Sequence, residues 1–209
     1  MQAMPETSVG SLTTLPKVQL TPEHSALMER AQKLCGGSAL WRRRKLAELS
    51  DLCRLLQVSH HRLTVMQLDL SADLRIDLLM RVTVPCQPEP NGPLAVAQAA
   101  RLGVIYREAA LLTPQPGYSF VQILAPQPVW HPNVSSDLNQ VLCLGPSIPA
   151  GLPLREILLM VYGALTMMSV QLDPANSAGV LNPAAADWFQ RNPGLIPLSW
   201  EPFVPPVTQ

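Results

Sequence analysis

Between residues 74 and 84 every second position is apolar: Leu74, Ile76, Leu78, Met80, Val82 and Val84. The positions between them hold Arg75, Asp77, Leu79, Arg81 and Thr83. A period of two with one wet face is what an antiparallel strand lying on a core requires. A helix would scatter these six apolar side chains around its circumference. A weaker alternation covers residues 64–70, where Thr64, Met66, Leu68 and Leu70 oppose Val65, Gln67 and Asp69. Strand-like runs resume at 102–108 and 118–124, broken by Thr113-Pro114-Gln115-Pro116-Gly117. Strands separated by such short polar breaks predict a four-stranded antiparallel meander.

Helical signals flank this block. Thr21 offers an N-cap with Pro22 at the first helical position, and Leu27, Ala31 and Leu34 follow before Gly36-Gly37 ends the turn pattern. Ser38 caps a second helix with an apolar stripe at Leu46, Leu49, Leu52 or Cys53, and Leu56. Residues 125–152, with prolines at 126, 128, 132, 146 and 149, read as one long irregular loop of the kind that carries function. Residues 152–170 are apolar on nearly every side and predict a buried helix on the sheet. Asn182 and Pro183 start a shorter helix, which Asn192-Pro193-Gly194 ends. Strands grouped between helices indicate an α+β fold rather than a wound parallel sheet. The chain then divides into a flexible arm (1–20), an extra N-terminal helix (21–37), a domain (38–193) and a Pro-rich tail (194–209).

Charge and cysteine usage narrow the function. Fifteen Lys and Arg balance fifteen Asp and Glu over 209 residues. A neutral chain gives no support for nucleic-acid binding through phosphate neutralisation, and there is no polybasic membrane anchor. No apolar run is long enough to span a bilayer comfortably, and residues 1–20 lack the basic start and apolar stretch of a secretory signal. The four cysteines, Cys35, Cys53, Cys86 and Cys143, form no CxxC pair, so a zinc site is disfavoured. The expected setting is a reducing cytoplasm with free thiols. Neither metal nor cofactor is expected, and the partners are proteins or small molecules. The glycine-rich phosphate loops, HExxH and GxSxG are all absent.

The densest constellation of reactive residue types is His131-Pro132-Asn133, followed ten residues later by Cys143-Leu144-Gly145. With Trp130 and Val134 around the tripeptide, Val141-Leu142-Cys143-Leu144, the apolar helix, and Leu181-Asn182-Pro183-Ala184-Ala185-Ala186, it makes an ordered set. In content and order this set resembles the ubiquitin-conjugating enzymes over residues 38–193. The resemblance implies that family's fold: N-terminal helices, a four-stranded meander, an active-site loop, a central buried helix and a short C-terminal helix. It implies that Cys143 accepts the C-terminal acyl group of a ubiquitin-like protein as a thioester and passes it to an amine. A thiolate suits this work because it is nucleophilic near neutral pH and leaves readily. Asn133 would supply a donor to the developing oxyanion, while His131 and Pro132 hold the loop.

The resemblance further implies a separate activating enzyme docking on Arg42, Arg43, Arg44 and Lys45, and a protein target. The divergent spacing is most similar to bacterial members of conjugation clusters, some of which act in defence against phages. Two features depart from the family. Its Asn-to-Cys interval is usually eight residues, and the excess falls in residues 135–140. Its acidic residue two before the LNP motif is replaced here by Gly179. Asp173 is the nearest carboxylate for assisting the attacking amine, and Asp137 a weaker one. Two other readings stay open. One is an inactive module of the same fold that only binds a ubiquitin-like protein. The other is a Cys-His hydrolase built on Cys143 and His131. Cys35, Cys53 and Cys86 are read as core thiols, His60-His61 as a solvated turn, and Trp188 and Phe189 as packing aromatics.

Overall fold

The computed structural model describes residues 21–86, 94–176 and 178–204. The arm at 1–20, residues 87–93 of the proline-rich connection and residues 205–209 of the tail lie outside the described residues.

Helices α1 (Pro22–Leu34) and α2 (Ala39–Val58) start where their caps predict. Thr21 Oγ1 accepts from His24 N–H at 3.3 Å, and Ser38 Oγ from Trp41 N–H at 3.1 Å. Each cap satisfies one amide that the first turn leaves orphaned. Gly37 sits at φ 94°, in the left-handed region where a side chain is strained. Ser38→Ala is expected to lower stability by about 1 kcal/mol, read as a shift of the urea midpoint at unchanged slope.

The core-facing stripe of α2 is rotated from the expected one. Trp41, Leu49, Leu52, Cys53 and Leu55 are buried, while Leu46 and Leu56 are only half-buried at its margin. Lys45 and Glu48 share the buried side. Lys45 was expected on a docking surface, and charged side chains are buried like this only where tertiary partners compensate them.

The main sheet runs β1 (Leu63–Asp69), β2 (Leu74–Met80), β5 (Ala100–Tyr106), β6 (Val121–Ala125) and β7 (Val141–Leu142), antiparallel in that spatial order. The four expected strands form its body. The fifth, β7, comes out of the stretch read as an irregular loop. β3 (Val84–Pro85) and β4 (Val96–Ala97) make a separate two-stranded ribbon. Leu74, Ile76, Leu78 and Met80 are all buried, as the alternation requires, and pair across to Tyr106, Val104, Leu102 and Ala100. In β1 the alternation breaks phase. Val65 pairs with Leu78 and Gln67 with Asp77, so Met66 is the extra residue of a bulge and is exposed. The bulge puts Leu63 and Val65 on the core side with Leu68 and Leu70, in place of Thr64 and Met66.

Helix α3 (Ala109–Leu112) is a single turn that the sequence did not announce. Helix α4 (Leu154–Leu165) joins α2 and the inner face of the sheet in one hydrophobic core, through Leu154, Ile157, Leu158, Val161 and Leu165. It stops five residues short of the expected end. Thr166 Oγ1 donates back to Tyr162 O at 2.8 Å, and Met167 enters the left-handed region at φ 61°. Helix α5 (Pro183–Arg191) is capped by Asn182, whose Oδ1 accepts from Ala185 N–H at 3.1 Å. Among the described residues no helix is long and apolar enough to cross a membrane.

Candidate active site

The tripeptide His131-Pro132-Asn133 ties three elements together. His131 is fully buried. Its Nε2 lies 2.9 Å from the Ala164 carbonyl near the end of α4, and its Nδ1 accepts from Asn133 N–H at 3.0 Å. The carbonyl can only accept and the amide can only donate, so the ring is neutral with its proton on Nε2. Burial drives the imidazole down to about 4, against a weaker upward pull from the Ala164 carbonyl. The Pro132 carbonyl accepts from both Leu181 and Asn182 N–H, at 2.8 and 2.9 Å, which fixes the approach to α5. With both ring nitrogens engaged, His131 has no free site for proton transfer, and the Cys-His hydrolase reading loses its base.

The ten-residue interval between Asn133 and Cys143 closes on itself. Cys143 N–H donates to Asn133 O at 2.7 Å, Val134 and Leu142 form an antiparallel bridge, and Ser135 N–H donates to Val141 O at 2.9 Å. The excess residues therefore lie beyond the closure, in a loop at 135–140. Asp137 Oδ1 organises that loop by accepting from Ser135 Oγ, Asn139 N–H and Gln140 N–H at 2.8, 3.0 and 3.2 Å. Asp137 is thus occupied in its own turn. Gln140, which the sequence reading passed over, staples the base. It is buried, its Oε1 accepts from Val129 N–H at 2.6 Å, and its Nε2 donates to Ile123 O and Pro126 O at 3.3 and 3.2 Å. A lone Gln in a loop carries no sequence signal for such a role.

Cys143 is only 2% exposed. It follows β7 and precedes Gly145, whose φ of 120° turns the chain away. Gly117 packs against this turn so closely that a Cβ there would meet the Gly145 carbonyl oxygen at 2.0 Å. The Sγ lies 3.4 Å from Gly145 O and 3.6 Å from Ala178 O, both acceptors for a thiol proton. Asn133 Nδ2 donates to the Cys143 carbonyl at 3.3 Å. Thiol and amide share a cleft of about 530 Å³, whose other lining includes Met160, Gln171, Asn176 and Gly179.

Two sequence-based assignments need correction. Asp173 does not line this cleft. It is exposed, and its Oδ1 accepts from Ala175 N–H at 3.0 Å in a local turn. The neutral Gln171 and Asn176 from the same segment line the cleft instead. Nor do the four basic residues at 42–45 form one patch. Arg42 and Arg43 are exposed. Lys45 is fully buried, donating from Nζ to the Leu70 and Ala72 carbonyls and lying 5.5 Å from the Trp41 ring centroid. Arg44 is drawn inward by Glu48, with Nε 2.6 Å from Oε1, and donates to Tyr106 Oη and Gly151 O at 3.2 and 2.9 Å. Helical spacing puts residues 44 and 45 on the core side once Leu49 and Leu52 are there.

The other thiols sit in the packing. Cys35 and Cys53 are buried, and burial pushes the Cys53 thiol up to about 11. Cys86 is half-buried, and its thiol is likewise raised by burial. His60 and His61 form an exposed turn, both at positive φ. Phe189 is buried with Trp188 edge-on to it at 4.9 Å. Among the described residues no group of three or more His, Cys, Asp or Glu is placed to hold a metal ion.

No family model, curated protein or solved structure matches this chain. The functional reading therefore rests on the chain's own residues and their geometry.

Proposed function

We propose that this chain is an acyl carrier of the ubiquitin-conjugating kind, holding the C terminus of a ubiquitin-like protein on Cys143 as a thioester. The observation that carries the reading is the closure of the 133–143 hairpin. It keeps Asn133 bonded to Cys143 through backbone and side chain despite an interval longer than the family's. The helix–meander–loop–helix–helix order and the anchoring of the tripeptide to α4 and α5 support the same fold assignment. In the proposed reaction Cys143 Sγ attacks the activated carbonyl and a target amine later displaces it. Within the basic run at 42–45, Arg42 and Arg43 are the exposed pair that a separate activating enzyme would meet.

The burial of Cys143 favours one competing reading, the inactive module that only binds a ubiquitin-like protein. One experiment separates the two. The chain is mixed with ATP and with a ubiquitin-like protein and activating enzyme encoded by neighbouring genes, then run on a non-reducing gel. The carrier reading expects an adduct that reductant removes, that Cys143→Ala abolishes and that Cys143→Ser converts to a reductant-resistant ester. Binding without any adduct selects the inactive module. An adduct that survives Cys143→Ala sinks the assignment of the thiol.

A further inference from the structure

The cleft that Cys143 lines carries no charged side chain. Among the described residues around it there is no carboxylate, imidazole, ammonium or guanidinium. Ser177, which lies outside the described residues, is uncharged by sequence as well. The polar side chains of the cleft are those of Asn133, Ser169, Gln171 and Asn176. Gln171 Oε1 already accepts from Asp173 N–H at 3.0 Å, and Asn176 Oδ1 from Ala178 N–H at 3.2 Å. Amide and hydroxyl oxygens have negligible basicity, so none of these groups takes a proton from an ammonium. His131, with both ring nitrogens bonded within the fold, cannot stand in for them.

This composition constrains the amine that attacks a thioester on Cys143. The attack uses the nitrogen lone pair, so the amine must be neutral. At pH 7.5 about one lysine ε-amine in a thousand is neutral, against about a third of α-amines. A nearby carboxylate would narrow that gap by drawing the ammonium in and accepting its proton. Here the thiol is only 2% exposed, and the uncharged cleft offers nothing to offset the desolvation of a cation.

Building on the thioester reading of Cys143, we infer that the acceptor is a weakly basic amine, the α-amino group at a polypeptide N terminus, rather than a lysine side chain. The neutral amine forms a bond to the acyl carbon as the bond to Cys143 Sγ breaks. The amine gives one proton to solvent, and the departing thiolate regains one from solvent. Gly179 is the place where the missing carboxylate can be supplied. It lines the cleft and does not sit at positive φ. A Cβ there would meet only the Gln171 side chain, at 3.2 and 3.4 Å, and that chain is flexible enough to yield.

The test uses the full chain, loaded with the 2-mercaptoethanesulfonate thioester of acetyl-glycyl-glycine. Cys143 Sγ takes the acyl carbon, and its proton ends on the departing thiol. Loading is followed by intact mass and mapped to Cys143. The loaded chain is then mixed at pH 7.5 with glycinamide, an α-amine, or with Nα-acetyl-lysinamide, whose one amine is the ε-amine. The same two amines react with the acetyl-glycyl-glycine thioester of N-acetylcysteine as the protein-free reference.

The wild-type chain should favour glycinamide at least as strongly as the protein-free thioester does. Gly179→Asp should move the ratio of rates toward the lysine amine by about tenfold or more, as a general base would. Gly179→Asn, of the same shape without the charge, separates the carboxylate from its bulk. A wild-type ratio about tenfold nearer to lysine than the reference overturns the inference, because the protein then supplies the base it is said to lack. So does an unchanged ratio in Gly179→Asp, or an equal shift in Gly179→Asn. These results leave the thioester reading standing. The wild-type ratio decides even if Gly179→Asp does not fold. If the probe does not acylate Cys143, the thioester reading fails and this inference with it.

Discussion

Lowering the pH from 7.5 to 4 is expected to cost the folded state about 3 kcal/mol through His131 alone. The ring is buried, neutral in the fold, and titrates near 4 rather than near its ordinary 6.5 because burial penalises the imidazolium. The unfolded chain therefore binds a proton that the folded chain refuses. The full contribution is present above pH 6.5 and is lost progressively as pH falls toward the folded value. Protonation would also place a proton on Nδ1, where the ring now accepts from Asn133 N–H, so the charged form breaks the bond that holds the tripeptide. Urea unfolding at a series of pH values measures the slope. His131→Gln, which keeps a donor for Ala164 O, should be less stable at pH 7.5 but should lack this part of the acid loss. The raised carboxyl of Glu48 works the opposite way, since protonating it relieves a burial penalty. The difference between wild type and His131→Gln removes that shared contribution. Parallel pH profiles for the two proteins would show that His131 is not the group responsible.

What could be read before the structure was known follows a physical divide. Local signals held. The caps at Thr21, Ser38 and Asn182 each bond the amide that their position predicts. The alternation over 74–80 places its apolar residues in the core. Signals that depend on tertiary contacts did not hold. Met66 looked like a core residue until the bulge in β1 shifted the phase, and nothing in the alternation itself marks where a strand inserts a residue. The fifth strand is two residues long and exists only because β6 and the 133–143 hairpin meet there. Asp173 was chosen by sequence proximity to the LNP motif, but the chain between α4 and α5 turns that carboxylate away from the thiol's cleft. At the candidate site the residue types were legible, whereas the bonding was not. Gln140 had no motif to announce it, and the bond from the Asn133 amide to the Cys143 carbonyl emerges only in the fold.

Lys45 gives the sharpest contrast between a charge run and a set of individual residues. Lys45→Ala is expected to cost about 3–4 kcal/mol, the range for emptying a large buried side chain. Removing the stem opens a cavity beside Trp41 in the buried row of α2. Removing the ammonium also loses its bonds to the Leu70 and Ala72 carbonyls. Those carbonyls are not left bare, however. Ala72 O also accepts from Trp41 Nε1–H at 2.8 Å, and Leu70 O from Gly36 N–H at 3.1 Å. Lys45→Met should therefore be far milder, within about 1.5 kcal/mol, because it restores the packing and removes a desolvated charge while both acceptors keep a donor. Arg42→Ala with Arg43→Ala, both on the solvent side, should change stability by less than about 0.5 kcal/mol. The ordering of three urea midpoints checks the argument. If alanine at 45 is as harmless as alanine at 42 and 43, then Lys45 faces solvent and belongs to the docking patch after all. If methionine is as damaging as alanine, the two carbonyls depend on the ammonium more than their remaining bonds imply.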